Sequence, residues 1–196
     1  MIESITGAGF TKILIVDDGS RDNTLRIAQS YPNTIVLSHA HNRGGGAALE
    51  TGFEFVRRNA TTLGIDYIVT FDADGQHSVL DMVEFIHAFE ANPKLDMVLG
   101  SRFITKTASN VPLGRRIILW GGTMFTWMIS GIKLTDSHNG YRMIAVKSLV
   151  HLELTMDGME YASELIEQVR IHGLTFAEVP VNITYDEYTL AKGQRH

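Results

Sequence analysis

The sequence predicts an α/β fold with a mostly parallel β-sheet. Short apolar runs rich in β-branched residues alternate with amphipathic helical patterns, which is typical of βαβ units. The runs at 12–16, 67–71 and 97–100 each end abruptly in polar residues. Because ligands bind beyond the carboxyl ends of the strands in an open α/β sheet, we expect the functional site at these polar ends.

The composition indicates one globular domain. The 196 residues are 44% hydrophobic and 20% charged, and without a linker or internal repeat we expect a single domain over residues 1–196. The net charge of -5 argues against a nucleic-acid partner, whose binding surface would be basic. The absence of cysteine excludes disulfides and thiolate metal sites and is compatible with the cytoplasm. Residues 1–10 show no signal-peptide pattern, and no apolar stretch reaches the ~20 residues that a spanning helix needs.

The first half of the chain predicts alternating helices and strands. The predicted elements are a helix end at 1–9, strands at 12–16 and 34–38, and helices at about 25–31 and 47–58. The first strand ends in Asp17 and Asp18. Glycines 44–46 precede the second helix, where backbone N–H groups and the helix dipole favour a phosphate; a flexible loop is the alternative.

Two carboxylates, Asp72 and Asp74, stand one residue apart directly after the run 67–71. Carboxylates this close repel each other unless a cation or proton is shared between them. Mg²⁺ and Mn²⁺ suit such a pair, leave positions open for substrate phosphates, and could take Gln76 as a further oxygen ligand. A calcium EF-hand is excluded because Gly75 is at the fourth position counted from Asp72, whereas the EF-hand loop has its glycine at the sixth. A loop or helix cap without function is the alternative.

The second half of the chain predicts further helices and strands. The predicted helices are at about 79–91, with a stripe of Leu80, Val83, Ile86 and Phe89, and at 157–172; the predicted strands are at 97–100, 143–146 and 176–183. Pro180 indicates that the last strand lies at a sheet edge. Glu164 shares one helix face with two other glutamates, and a solvated acidic face is the default interpretation.

Residues 117–132 contain no charged side chain. A buried helix or helix pair is one interpretation. The other is a helix lying against a bilayer, with Trp120 and Trp127 at the interface and basic residues on lipid headgroups. Under that interpretation we expect peripheral membrane contact through residues 115–133.

Four motifs occur in an order that resembles the family-2 inverting glycosyltransferases. They are Asp17-Asp18-Gly19-Ser20 with Asp22 and Thr24, Asn42-Arg43-Gly44 with Gly46 and Ala48, Asp72-Ala73-Asp74-Gly75-Gln76-His77, and Gly100-Ser101-Arg102-Phe103. The chain is most similar to the branch of dolichyl-phosphate mannose synthase and bacterial polyprenyl-phosphate sugar transferases, over roughly residues 10–194. The resemblance implies a Rossmann-like GT-A three-layer sandwich and a metal-dependent sugar transfer in cell-surface glycan or glycolipid synthesis.

The resemblance also implies roles for individual residues. The donor, a UDP- or GDP-linked sugar, would contact Asp17, Asp18, Gly44, Gly46, Asp72 and Lys192. Mg²⁺ or Mn²⁺ would be held by Asp72, Asp74 and Gln76. The phosphate of a polyprenyl-phosphate acceptor would contact Arg102, Arg115 and Arg142. A catalytic role falls to Asp74 and Arg102, and to Glu164 as general base if the acceptor is instead a glycan hydroxyl.

The sequence departs from the family at its start, because the family's first strand, with its proline turn and Asn-Glu pair, is missing. We therefore expect an N-terminally incomplete catalytic domain, with an exposed sheet edge that favours pairing between copies. An inactive remnant or partner subunit is the alternative function, and a nucleotidyltransferase is a third. The expected location is cytoplasmic, at the inner face of the membrane.

Overall fold

The computed structural model describes residues 1–104, 120–124, 127–128 and 131–183. The helices with defined bounds are α1 (Ile2–Gly7), α2 (Thr24–Gln29), α3 (Gly45–Leu63), α4 (Met82–Ala91) and α5 (Tyr161–Ile171). The strands are β1 (Ile13–Asp17), β2 (Thr34–Ser38), β3 (Tyr67–Thr70), β4 (Met97–Ser101), β5 (Arg142–Ala145) and β6 (Phe176–Pro180). Short 3-10 helices lie at Val79–Asp81 and Val146–His151, and residues 120–124 and 127–128 are also helical.

The described strands form two sheets, one parallel pair and one four-stranded sheet of mixed direction. Strands β1 and β2 are parallel, and the second sheet has the order β3-β5-β4-β6. Strand β5 runs antiparallel to both β3 and β4, whereas β4 and β6 are parallel. The expected α/β class is confirmed. In the four-stranded sheet β3, β4 and β6 run in one direction, and only β5 enters between β3 and β4 in the reverse direction.

Two apolar clusters cover the two faces of the four-stranded sheet. On one face Ile144 packs with Phe53 of α3 and Leu165 of α5. On the other face Met143 packs with Phe85 of α4. Neighbouring residues of β5 therefore serve opposite faces, as the two-residue period of a strand requires. The result is the expected three-layer arrangement.

The buried stripe of α4 differs from the predicted one. Leu80 and Val83 are 80% and 45% exposed, whereas Met82, Phe85 and Phe89 are buried. The chain at 79–81 is a 3-10 helix, whose tighter winding shifts the side chains that follow relative to a continuous α-helix.

The last strand lies at a sheet edge, as Pro180 predicts, because β6 ends the strand order. In the part of the chain that the structure describes, no helix is both long enough and apolar enough to cross a membrane. Of the segment expected at a membrane surface, residues 120–124, 127–128 and 131–133 are described. Arg115 lies outside the described residues, as does Lys192 near the end of the chain.

Candidate active site

The loop after β3 presents two carboxylates at the end of the sheet. The Asp72 side chain is 57% exposed. One Asp74 oxygen, Oδ1, accepts the amide hydrogen of Gln76 at 3.0 Å. Gly75 completes the turn with φ of 78°, a conformation that strains other residues. The loop therefore brings Asp72, Asp74 and Gln76 together at the strand end where the sequence predicted a ligand.

His77 is a buried side chain that holds this loop through contacts with Asp72. The Asp72 amide donates to Nδ1 of His77 at 3.4 Å, and Nε2 lies 3.8 Å from Asp72 Oδ2. This network assigns the proton to Nε2, on the side of the carboxylate. The ring stacks on Tyr141 with centroids 4.7 Å apart and an 8° interplanar angle. Burial lowers the pKa of His77, because desolvation disfavours the imidazolium form.

The segment 135–140 closes one side of the site. Gly140 lies against the first carboxylate, since a Cβ built there would be 2.9 Å from Asp72 Oδ2. Thr70 Oγ1 donates to the Gly140 carbonyl at 2.5 Å. At the other end of the segment, Glu178 of β6 accepts hydrogen bonds from Thr135 and from the amide of Asp136. The segment is thus held by β3 and β6 at once.

Arg102 forms a buried ion pair with Asp136. Its Nε is 2.6 Å from Asp136 Oδ2, and its Nη2 is 2.7 Å from Asp136 Oδ1. The amide of Arg102 donates to the same carboxylate at 3.2 Å. This bidentate geometry gives Arg102 the role of tying the 135–140 segment to the end of β4. The ion pair engages Arg102 in the fold, and its expected part as a phosphate ligand or catalytic group stays a prediction.

Arg142 is a buried cation that interacts electrostatically with Asp72 and Asp136. It pairs with Thr70 on β3 and Leu99 on β4, and it is 1% exposed. Its guanidinium lies 5.8 Å from the ring centroid of Tyr161, and its Nη1 has no hydrogen-bond partner among the described residues. Burial lowers the pKa of Arg142, and the nearby carboxylates partly oppose the shift. A buried arginine with an unsatisfied nitrogen suits an incoming anion.

Asp17 is the last residue of β1 and Asp18 follows it, and the two side chains have different environments. Asp17 is buried, and Ser38 Oγ donates to its Oδ2 at 3.1 Å, whereas its Oδ1 has no partner among the described residues. A cavity of about 320 Å³ opens beside it, a size within the range of small-ligand sites. The residues lining this cavity include Asp17, Gly19, Ser20, Ser38, His39 and Asn42.

Asp18 holds the loop that precedes α3. Its carboxylate accepts hydrogen bonds from the amides of Arg43 at 2.9 Å and Gly44 at 2.7 Å, and it lies 2.7 Å from His39 Nδ1. Burial alone would raise the pKa of Asp18, but these hydrogen bonds outweigh it and hold the pKa below the usual value. Asp18 thus positions the 42–44 loop beside the Asp17 cavity.

Gly44 and Gly46 allow close packing at the start of α3. A Cβ at Gly44 would lie 2.3 Å from the Asp157 carbonyl oxygen, and one at Gly46 would lie 2.0 Å from the Met156 carbonyl oxygen. The Gly46 amide donates to the Asp157 carbonyl at 2.8 Å. The expectation that these two amides contact a phosphate is corrected, because Asp18 and Asp157 already accept their hydrogens.

Glu164 supports the same contact from α5. Its Oε1 accepts hydrogen bonds from the amide and hydroxyl of Thr155 at 2.9 and 2.6 Å, and its Oε2 accepts one from the Met156 amide at 3.1 Å. Both oxygens therefore hold the chain that carries Asp157 to α3. The expected part of Glu164 as general base for a hydroxyl acceptor stays a prediction.

Three residues that the sequence patterns left unassigned are central to the site. His77 belongs to the motif that starts at Asp72, and Asp136 belongs to a polar run. The spacing of the residues in these patterns did not predict what either side chain contacts. Asp157 contributes through its backbone carbonyl, for which no side-chain pattern exists. Each of them acts through a contact that is distant along the chain or made by the backbone.

The carboxylate loop fits a partial metal shell. Among residues 1–104, 120–124, 127–128 and 131–183, no three His, Cys, Asp or Glu side chains are grouped as ligands of one ion. Asp72 and Asp74, with the Gln76 amide oxygen, offer oxygen ligands only. Mg²⁺ and Mn²⁺ commonly bind to one or two protein carboxylates and complete their shell with water and phosphate oxygens, so this donor set suits either ion.

The chain is similar to known sequences over most of its length. The sequence family described as glycosyl transferase family 2 matches residues 2–152. An uncharacterised protein of Methanocaldococcus jannaschii is 36% identical, in a match that covers 98% of this chain and 78% of that protein. A UDP-N-acetylglucosamine–dolichyl-phosphate N-acetylglucosaminyltransferase of Methanococcus voltae is 31% identical, with 98% of this chain and 82% of that protein covered.

A solved structure shares the fold. It is glucosyl-3-phosphoglycerate synthase from Mycobacterium tuberculosis in complex with Mn²⁺ and UDP-glucose, which matches with a TM-score of 0.63. The match covers 97% of this chain and 67% of that chain at 13% identity. The likeness confirms the expected GT-A architecture.

Proposed function

The chain belongs to glycosyl transferase family 2 and is a glycosyltransferase, and from this premise we propose that it transfers a sugar from a nucleotide diphosphate-sugar to a polyprenyl phosphate. The main support for the proposal is that negatively and positively charged side chains lie close together at one end of the sheet. The exposed Asp72 carboxylate lies near Arg142, a buried cation whose Nη1 has no hydrogen-bond partner among the described residues. Such a site suits a metal and two anionic substrates.

The donor side of the proposal rests on the Asp17 cavity and the carboxylate loop. Asp17 lines this cavity, and its buried Oδ1 has no hydrogen-bond partner among the described residues, so Asp17 is our candidate acceptor for a nucleoside N–H or O–H group. Asp72, Asp74 and Gln76 would hold Mg²⁺ or Mn²⁺, which when bound neutralises charge on the leaving nucleotide diphosphate. Mn²⁺ and UDP-glucose occur together in the M. tuberculosis synthase of the same fold.

The acceptor side rests on charge and on the role of Glu164. A polyprenyl phosphate arrives as an anionic nucleophile and needs no strong base. Glu164, the expected base for a hydroxyl acceptor, instead holds the 155–156 chain, which favours an acceptor that is already ionised. The Methanococcus voltae relative is named for transfer to dolichyl phosphate, a lipid of this class. We propose the cytoplasmic membrane face as the place of reaction.

Calorimetric titration with UDP and GDP tests the donor site, with Mn²⁺ and then with EDTA. We expect binding that requires the metal and is lost in Asp74→Asn. The matched control is Asp66→Asn, an equal change at an exposed position before β3, which should bind as the unchanged protein does. A folded protein that binds neither nucleotide would support the alternative of an inactive remnant or partner subunit.

A further inference from the structure

His39 connects the end of β1 with helix α3. Its Nδ1 lies 2.7 Å from Asp18 Oδ1, and its Nε2 lies 2.9 Å from Thr51 Oγ1. The His39 side chain is 10% exposed. Both ring nitrogens are therefore engaged, on one side by the carboxylate that holds the 42–44 loop and on the other by a hydroxyl of the helix.

The pairing of β1 with β2 explains why these side chains meet. The two strands are parallel and their last residues pair with each other, so His39 follows beside Asp18. A Cβ built at Gly52 of α3 would lie 3.7 Å from the Val16 side chain, which places Val16 on the sheet face that α3 covers. Because side chains alternate along a strand with a period of two, Asp18 continues that face and points towards the helix.

The contacts of the ring assign the position of its proton. An ionised carboxylate accepts hydrogen bonds and donates none. In the neutral ring Nδ1 of His39 therefore carries the proton that Asp18 accepts, and Nε2 accepts the hydrogen of the Thr51 hydroxyl. A ring whose two nitrogens have such different partners is held in one orientation.

Asp18 receives three hydrogen bonds from different directions. Its Oδ1 faces both the Arg43 amide and His39. Its Oδ2 accepts the Gly44 amide. The loop held in this way carries Asn42, which lines the cavity beside β1 together with His39 itself. The orientation of the Asp18 carboxylate, and with it the wall of the cavity, therefore depends on the histidine ring.

We propose that His39 is a positioning residue of the donor site, which orients the Asp18 carboxylate and thereby holds the 42–44 loop in the shape that receives the nucleotide. The inference rests on the proposed function, since a nucleotide diphosphate-sugar would occupy the cavity that His39 lines. Without the contact to Asp18 the loop has more conformations, and binding must order it at a cost in affinity. We therefore expect an effect on donor binding and none on the turnover of bound donor.

Two substitutions separate the two ends of the ring. In His39→Asn the side-chain amide replaces Nδ1 and keeps a donor for Asp18, whereas in His39→Gln the amide replaces Nε2 and reaches towards Thr51. His87→Gln, at an exposed position of α4, is the control. In calorimetric titration with UDP or GDP and Mn²⁺, the dissociation constant should be about tenfold higher in His39→Gln and should change less than about threefold in His39→Asn and in the control.

Steady-state kinetics distinguish positioning from a purely structural role. With polyprenyl phosphate as acceptor, KM for the nucleotide-sugar should rise about tenfold in His39→Gln, while kcat changes less than about twofold. A purely structural role would lower the melting temperature without this division between KM and kcat, and would overturn the proposal. Equal loss of affinity in His39→Asn and His39→Gln, or no loss in either, would also overturn it.

Two NMR measurements without substrate keep this inference separate from the proposed function. Nitrogen chemical shifts of the neutral His39 ring should show the proton on Nδ1, and the Arg43 and Gly44 amides should exchange faster in His39→Gln than in His39→Asn. A proton on Nε2, or equal exchange, would overturn the role of His39. If the unchanged protein binds neither nucleotide, the proposed function fails, whereas these two measurements still decide whether His39 holds the loop.

Discussion

The carbonyl oxygen of Asp157 accepts a hydrogen bond from the amide of Gly46 at 2.8 Å and so joins the chain before α5 to the first turn of α3. Glu164 holds the residues just before Asp157 in place. Two helices that cover the same sheet face are thereby locked together at the end where the carboxylate loop lies.

Gly46→Ala should destabilise the protein by about 3 kcal/mol, because its Cβ would lie 2.0 Å from the Met156 carbonyl oxygen and neither backbone can yield cheaply. The control is Gly52→Ala in the same helix, where the nearest atoms are 3.7 Å away. That change should raise stability by about 0.5–1 kcal/mol through helix propensity. Urea unfolding followed by circular dichroism measures both, and equal stability of the two variants would contradict the packing role.

Glu164→Gln should lower the free energy of unfolding by about 1–2 kcal/mol, because the amide nitrogen cannot accept a hydrogen bond from the 155–156 chain. We expect the pH dependence of kcat to keep its shape, because both Glu164 oxygens accept hydrogen bonds from the 155–156 chain. Turnover at a series of pH values is the measurement. Loss of the acidic limb of the profile would support Glu164 as a general base.

Gly140→Ala should weaken metal-dependent nucleotide binding by about tenfold, because the added methyl group displaces the Asp72 carboxylate 2.9 Å away. Stability should change by less than about 1 kcal/mol, since the carboxylate is exposed and can move. Gly7→Ala is the control, as nothing lies within 4 Å of its Cβ. Titration with UDP or GDP in Mn²⁺ measures the effect, and unchanged affinity would place Asp72 outside the binding site.

Arg142→Met should separate stability from activity. Burying a guanidinium with an unsatisfied nitrogen is unfavourable, so an apolar side chain of similar length should leave stability unchanged or increase it. Loss of the positive charge near Asp72 should reduce kcat/KM by about a hundredfold. Thermal unfolding and turnover are measured on the same preparation. A large loss of stability would indicate that Arg142 serves the fold instead of a substrate anion.

Asp96→Asn should reduce the loss of stability that the protein shows as the pH is lowered. Burial alone would raise the pKa of Asp96, but hydrogen bonds from Thr175 and Ser148 outweigh it and lower the pKa. A lowered folded-state pKa adds stability that is complete above the unfolded-state value of about 3.9 and is lost as pH falls through the folded-state pKa. Urea midpoints between about pH 5 and pH 2 should therefore fall less in Asp96→Asn than in Asp66→Asn.

The sequence by itself determined the local elements and the position of the carboxylates. Continuous apolar runs predicted strands at 12–16, 34–38 and 67–71, within one residue of the observed 13–17, 34–38 and 67–70, because a buried strand is recorded as a run of consecutive apolar residues. The same runs placed Asp17 and Asp72 at strand ends. The motif order led to the family because each motif is a continuous stretch of chain.

Only the tertiary structure decided which residues face each other. The antiparallel entry of β5 places Arg142 beside Thr70 and Leu99, residues more than forty positions away in the sequence. Arg102 is engaged by Asp136, and the Gly46 amide by the Asp157 carbonyl. Local periodicity carries no record of such contacts, because strand direction and side-chain pairing follow from the packing of the whole chain. Residue types thus indicated the candidates for the site, and packing decided which of them, such as Arg102 and Glu164, contact distant parts of the chain.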